Sequence, residues 1–329
     1  MKDVQWPGVA LHVVSGKGGA GKTTAAAALA LALAREGTRT LLIEVEGRQG
    51  IAQLFDTPPL PYEERRVAVA PGGGEVWALP IDPQEALLDY LDTFYNLRRA
   101  GSALRKMGAI DFATTIAPGL RDVLLTGKAM EVVRRIDKHS PDAYRAVVLD
   151  APPTGRIAKF LNVNTEVSGL ARTGPIRKHA DMVMSVIRSP RTAVHLVTLL
   201  EEMPVQETID GIAELRADDL PVGGIFVNMT RPPMLTDDQL ALARSGGLPT
   251  DAIADRAIAA GIRAEPAVLG RALVAEAQDH AARVDLELRE RARIDALGLP
   301  TVTLPMLPAG IDLGGLYELA QIMRAEGLR

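Results

Sequence analysis

Ser15-Gly16-Lys17-Gly18-Gly19-Ala20-Gly21-Lys22-Thr23-Thr24 packs four glycines, two lysines and three hydroxyl side chains into ten residues. From Gly16 to Thr23 the run fits G-x-x-x-x-G-K-[ST], the phosphate-binding loop. Gly16, Gly18, Gly19 and Gly21 let the backbone wrap closely. Its N–H groups, including that of Ala20, then converge with a helix N-terminus on phosphate oxygens. In this pattern Lys22 reaches the β- and γ-phosphates, the Thr23 hydroxyl ligates Mg²⁺, and Thr24 sits near the α-phosphate. The expected ligand is ATP with Mg²⁺.

A second chemical group stands at Asp150. Ala146-Val147-Val148-Leu149-Asp150 reads as a buried strand ending in a carboxylate, followed by Ala151-Pro152-Pro153-Thr154-Gly155-Arg156. In an open α/β sheet ligands bind outside the carboxyl ends of the strands, so Asp150 is expected beside the glycine loop. There it would hold the metal through water, as a Walker B acid does. The two prolines constrain the loop and Gly155 lets it pivot, as a γ-phosphate sensor requires.

The elements that must position these groups follow from apolar patterning. Continuous apolar or β-branched runs at 9–14, 40–45, 76–81, 146–150, 193–198, 224–228 and 301–304 read as strands, mostly separated by helical patterns. That alternation predicts an α/β fold, a doubly wound and mostly parallel sheet covered on both faces. Residues 25–34 form the helix after the glycine loop. Gly72-Gly73-Gly74 reads as a turn before a strand. Residues 83–138 and 157–188 are helical without a strand signal and predict a helical subdomain inserted in a single domain spanning 1–329. Another long helical stretch covers 264–297, with its charged part, 285–295, read as a solvated face.

Composition bounds the rest. The chain has 329 residues, 47% of them hydrophobic, and a net charge of −4, enough for a sizeable core. Without a basic block or an aromatic-interleaved basic stripe, no nucleic-acid partner is expected. Cysteine is absent, which excludes disulfides, thiolate zinc and a cysteine nucleophile. His12, His139, His179, His195 and His280 share no ligand spacing and read as structural or exposed. The N-terminus enters the first strand directly and no apolar run approaches the roughly 20 residues of a membrane span. A cytoplasmic protein is expected, peripheral to a membrane only through a partner.

The form Lys-Gly-Gly-x-Gly-Lys-Thr, with Lys17 near the loop's start, resembles the deviant Walker A group of P-loop ATPases. Residues 150–161, Asp-Ala-Pro-Pro-Thr-Gly-Arg-Ile-Ala-Lys-Phe-Leu, resemble without a gap the switch II sequence of the ArsA and tail-anchored-protein-targeting ATPases. Leu79-Pro80-Ile81-Asp82-Pro83, Glu207-Thr208, Val227-Asn228 and Leu304-Pro305-Met306-Leu307-Pro308 extend the resemblance along most of the chain. It comes nearest the paired ArsA-like ATPases of actinobacteria. The resemblance implies that Lys17 crosses a dimer interface to the partner's nucleotide. It also implies that Asn228 contacts the adenine and that Pro305 and Met306 close over the base.

Two positions depart from the family pattern. Arg156 replaces a usual histidine, and Glu46-Gly47-Arg48-Gln49 stands where the family has Asp-Pro-Ala-His. Glu46 still offers a carboxylate to orient water or take its proton, and Glu44 is a weaker candidate on the same strand face. Arg48 and Arg156 either contact the γ-phosphate or pair with Glu46 when the site is empty; both also read as surface arginines near a mouth.

The resemblance implies a Mg²⁺-dependent ATPase whose partner is a second P-loop subunit, in a homodimer or a paralogous heterodimer, with closure moving the helical subdomain. Phe112, Ile116, Leu120, Val123, Leu124, Met130, Val132 and Val133, with Met182, Met184, Val186 and Ile187, read either as a surface for a hydrophobic or membrane-protein client or as ordinary core. The alternative is a nucleotide-gated regulatory subunit of a heterodimer or membrane anion pump with weak hydrolysis of its own. Missing cysteines count against metalloid binding and against a zinc clamp between subunits.

Overall fold

The structure, a computed structural model, describes residues 6–95, 118–137, 143–162, 175–308 and 310–327. Its strands are β1 (Leu11–Gly16), β2 (Arg39–Glu44), β3 (Arg65–Val69), β4 (Glu75–Pro80), β5 (Ala146–Asp150), β6 (Thr192–Thr198), β7 (Val222–Thr230) and β8 (Thr301–Pro305). They form one sheet in the order β3-β4-β2-β5-β1-β6-β7-β8, parallel except where β3 pairs antiparallel with β4. The α/β fold with a mostly parallel sheet is therefore as the sequence predicts.

The helices are α1 (Lys22–Leu33), α2 (Gly50–Leu54), α3 (Pro83–Tyr95), α4 (Pro118–Asp137), α5 (Thr154–Leu161), α6 (Pro175–Ile187) and α7 (Glu202–Ala217). They continue with α8 (Asp237–Ser245), α9 (Thr250–Ala259), α10 (Pro266–Asp295) and α11 (Leu313–Ala325). Helix α1 is apolar all round because it is covered all round: Ala25 to Leu33 are buried beneath the sheet and α11. Alanine at most of these positions lets the helix approach closely at no cost in helix propensity. On the opposite face Leu11, Val13, Val147 and Leu149 pack with residues of α4, α5, α6 and α7. Val123, Leu124, Met130, Val132, Val133, Met184 and Ile187 belong to that core, so the apolar set considered for a client is mainly packing. Phe112 and Ile116 and the Leu120 side chain lie outside the described residues.

Strand β3 has no counterpart in the sequence reading. It is an edge strand carrying Arg65 and Arg66, exposed or half-buried throughout, so no apolar alternation marks it. Charged residues at an edge also discourage pairing with another chain. The Gly72 to Gly74 turn is the hairpin linking β3 to β4, closed by Ala70 N–H to Gly74 O at 2.8 Å, with Gly73 at φ +81°.

Two of the histidines form an internal pair: His12 Nδ1 and His195 Nε2 lie 3.0 Å apart in the core, beside Trp6 and Phe226. Burial pushes His12 down to about 3 and holds His195 well below its ordinary range, so both rings are neutral and structural. His139 and the His179 side chain lie outside the described residues. Among the described residues no helix is long and apolar enough to cross a membrane.

Candidate functional site

Strands β2, β5 and β1 lie side by side and in register, so Glu44 sits opposite Asp150 and Asp150 opposite Val14. Their carboxyl ends deliver an acidic group, a second acidic group and the glycine loop to one place. Within the loop Gly21 adopts φ +86°, and a Cβ there would collide with the Asn228 side chain. That contact is used: Asn228 Nδ2 on β7 donates to Ala20 O at 2.9 Å and ties down the loop. On the other side Ser15 Oγ donates to Pro152 O at 2.6 Å and fixes the loop against the segment after β5. Gly21 also serves as the N-cap of α1 without a side-chain cap, which leaves the first-turn N–H groups of Lys22, Thr23 and Thr24 for an anion.

Thr23 Oγ1 donates to Asp150 Oδ2 at 2.7 Å, while Asp150 Oδ1 is buried with no hydrogen-bond partner. A buried orphan carboxylate oxygen beside a threonine hydroxyl fits the oxygen-donor set of Mg²⁺. Burial pushes the Asp150 carboxyl up to about 6, and Glu44 and Glu46 add to the shift. The Thr23 hydrogen bond and the Lys22 charge oppose it. Because its ordinary value is 3.8, the folded chain holds a proton that the unfolded chain has released over the interval between. This group's contribution to stability is complete below the unfolded value and lost as pH rises through about 6. A divalent cation held at Asp150 would replace the proton. Mg²⁺-nucleotide is therefore expected to raise Tm more at about pH 7.5 than at about pH 5, and Asp150→Asn to remove the difference. Equal increments in thermal melts at the two pH values would contradict this.

Glu44, the weaker candidate beside Glu46, is committed elsewhere. Its two oxygens accept from Gly50 N–H at 3.1 Å and Ile51 N–H at 3.4 Å at the start of α2. Glu46 lies 3.9 Å from Arg48 and lines a cavity of about 210 Å³ with Arg121, Asp122, Pro152 and Arg156. At that distance, and with its side chain 76% exposed, Arg48 fits both the reading that pairs it with Glu46 and that of a surface arginine near a mouth. Arg156 pairs instead with Asp122 of α4 at 3.8 Å.

Lys17 is met by Glu207 of α7, Nζ to Oε1 3.0 Å. At the far side of the loop Thr230 pairs with Pro305, and Met306 N–H donates to Thr230 O at 2.9 Å. Asn228 and Thr230 line a cavity of about 360 Å³ together with Arg231 and with Arg283, Leu286 and Glu287 of α10. These α10 residues escape a sequence reading. The helix carries i,i+4 pairs such as Arg283–Glu287 and Arg291–Asp295, which look alike whether they face water or a cavity.

Known proteins resemble this chain over much of its length. A family profile described as anion-transporting ATPase matches residues 10–190. The chain is 51% identical over 330 residues to ATPase BagA of Mycobacterium tuberculosis, covering 99% of this chain and 97% of that protein. It is 28% identical over 249 residues to ATPase GET3 of Kluyveromyces lactis, covering 65% of this chain and 70% of that protein.

Proposed function

We propose, from the premise that this chain belongs to the anion-transporting ATPase family and hydrolyses ATP, that it works as a Mg²⁺-dependent dimer closed by the nucleotide. The observation that carries the chemistry is the meeting of Thr23 and Asp150 at 2.7 Å with one carboxylate oxygen left over. In this reading the loop from Gly18 to Thr24 holds the phosphates, and Lys22 neutralises the β- and γ-oxygens. Thr23 and Asp150 hold Mg²⁺, which supplies charge neutralisation on the phosphoryl group when bound. Glu46 orients the attacking water and accepts its proton, after Arg48 has swung away. Asn228, Pro305 and Met306 hold the base. Lys17 acts on the nucleotide of the other subunit, so turnover requires a closed pair.

Closure would transmit through Arg156, which joins the segment after Asp150 to Asp122 of α4. The segments 83–138 and 157–188 then supply the subdomain that moves, in the service of a hydrophobic or membrane-protein client. The Arg48–Glu46 contact favours a second, related reading: a gated subunit of a paralogous heterodimer that turns over slowly alone. In sedimentation experiments a non-hydrolysable ATP analogue with Mg²⁺ is expected to convert monomer to dimer, with this chain alone or with its paralogue. A chain that binds the analogue and stays monomeric in both cases overturns the proposal.

A further inference from the structure

We propose that Glu207 is a positioning residue: it holds Lys17 on its own subunit until the partner's nucleotide takes it. Lys17 Nζ and Glu207 Oε1 lie 3.0 Å apart, with the two side chains 32% and 39% exposed. The pair is close enough to fix a flexible lysine and wet enough to be exchanged. An ion pair of this exposure is a weak restraint that biases the lysine without trapping it. A carboxylate competing for the lysine raises the subunit concentration at which a second nucleotide captures it. It thereby keeps the charge off the phosphate site of a lone chain.

The helix that carries Glu207 also touches the other moving part. Gly211 lies four residues on and on the same face of α7. It approaches Thr154, the first residue of α5, so closely that a Cβ would collide with the threonine methyl. Thr154 Oγ1 is buried and lacks a hydrogen-bond partner, and it follows Asp150 by four residues. One face of α7 therefore contacts the loop lysine at one turn and the segment after the metal-side aspartate at the next. Any shift of Thr154 on nucleotide binding reaches Glu207 through a rigid helix. Lys17 is released when the site behind Asp150 rearranges, and held when it does not.

This inference rests on the dimer reading above, and Glu207→Gln separates the two. The variant removes the charge and keeps the shape at a half-exposed helix position. Loss of one such pair is expected to shift association about two- to fivefold, and two pairs are exchanged in a homodimer. The subunit concentration giving half-maximal ATP hydrolysis should therefore fall roughly 4- to 25-fold, or about two- to fivefold when a paralogue is titrated, with the plateau rate unchanged. A loss of folding or packing would raise that concentration or lower the plateau instead. If Lys17→Ala abolishes turnover while Glu207→Gln leaves the midpoint at the wild-type value, the restraint is overturned and the dimer reading stands. If wild-type activity per subunit is independent of concentration and of Lys17, both fall together.

Discussion

Lys17→Ala is expected to lower kcat by about 10³–10⁵-fold, the range seen when a cation supplied in trans is removed from phosphoryl transfer. Nucleotide affinity and Tm should change little. In the proposed mechanism the charge acts where negative charge develops on the phosphoryl oxygens, so its loss would appear in kcat rather than in ground-state binding. The side chain can be removed cleanly. Only the Lys17 backbone serves the loop, accepting from Ala20 N–H at 3.1 Å, and the side chain meets Glu207 at the rim. Nothing in the core of α1 depends on it. Steady-state kinetics with Tm measured alongside test the expectation; a kcat within tenfold of wild type would show that Lys17 does not reach the transferring phosphate.

Glu46→Gln is expected to cost about 10²–10⁴-fold in kcat, the usual contribution of a positioned general base. Glutamine keeps the length and can still hydrogen-bond, but it cannot take a proton. Glu46 is one methylene longer than aspartate and lies 3.9 Å from Arg48. In the proposed mechanism its productive position is made by closure. An offset of about 1 Å at that step costs on the order of 100-fold, so wild-type turnover is itself expected to be modest. Single-turnover kinetics under saturating Mg²⁺-ATP read the chemical step directly. A Glu46→Gln protein that hydrolyses ATP at the wild-type rate would remove Glu46 from the chemistry.

The parts legible in the sequence are those written in short, local patterns. The glycine loop needs its glycines at fixed offsets, because Gly21 lies in the left-handed region against Asn228. The central strands are legible because a parallel strand buried on both faces is a continuous apolar run, as at residues 146–149. Edge strand β3 follows no such rule, since none of its residues is buried and its first two are exposed arginines. Nor could the sequence assign Glu44, whose carboxylate is consumed by the α2 N-terminus six residues on. That Asn228 contacts the base is implied by resemblance alone. Its hydrogen bond to Ala20, across 208 positions, is a fact of the sheet order and of nothing local. The same holds for Glu207 against Lys17 and for the α10 residues beside Asn228. Long-range pairs join residue types that are common on any surface, so only the fold distinguishes them.

The central claim is that hydrolysis belongs to a closed pair of subunits, and the most direct measurement is Mg²⁺-dependent ATP hydrolysis per subunit across a wide dilution series. The expected result is a specific activity that rises with concentration to a plateau and collapses on dilution, or that rises the same way on titration with a paralogous subunit. A specific activity that is constant across the series, with and without the second subunit, would contradict the claim and place the whole reaction within one chain.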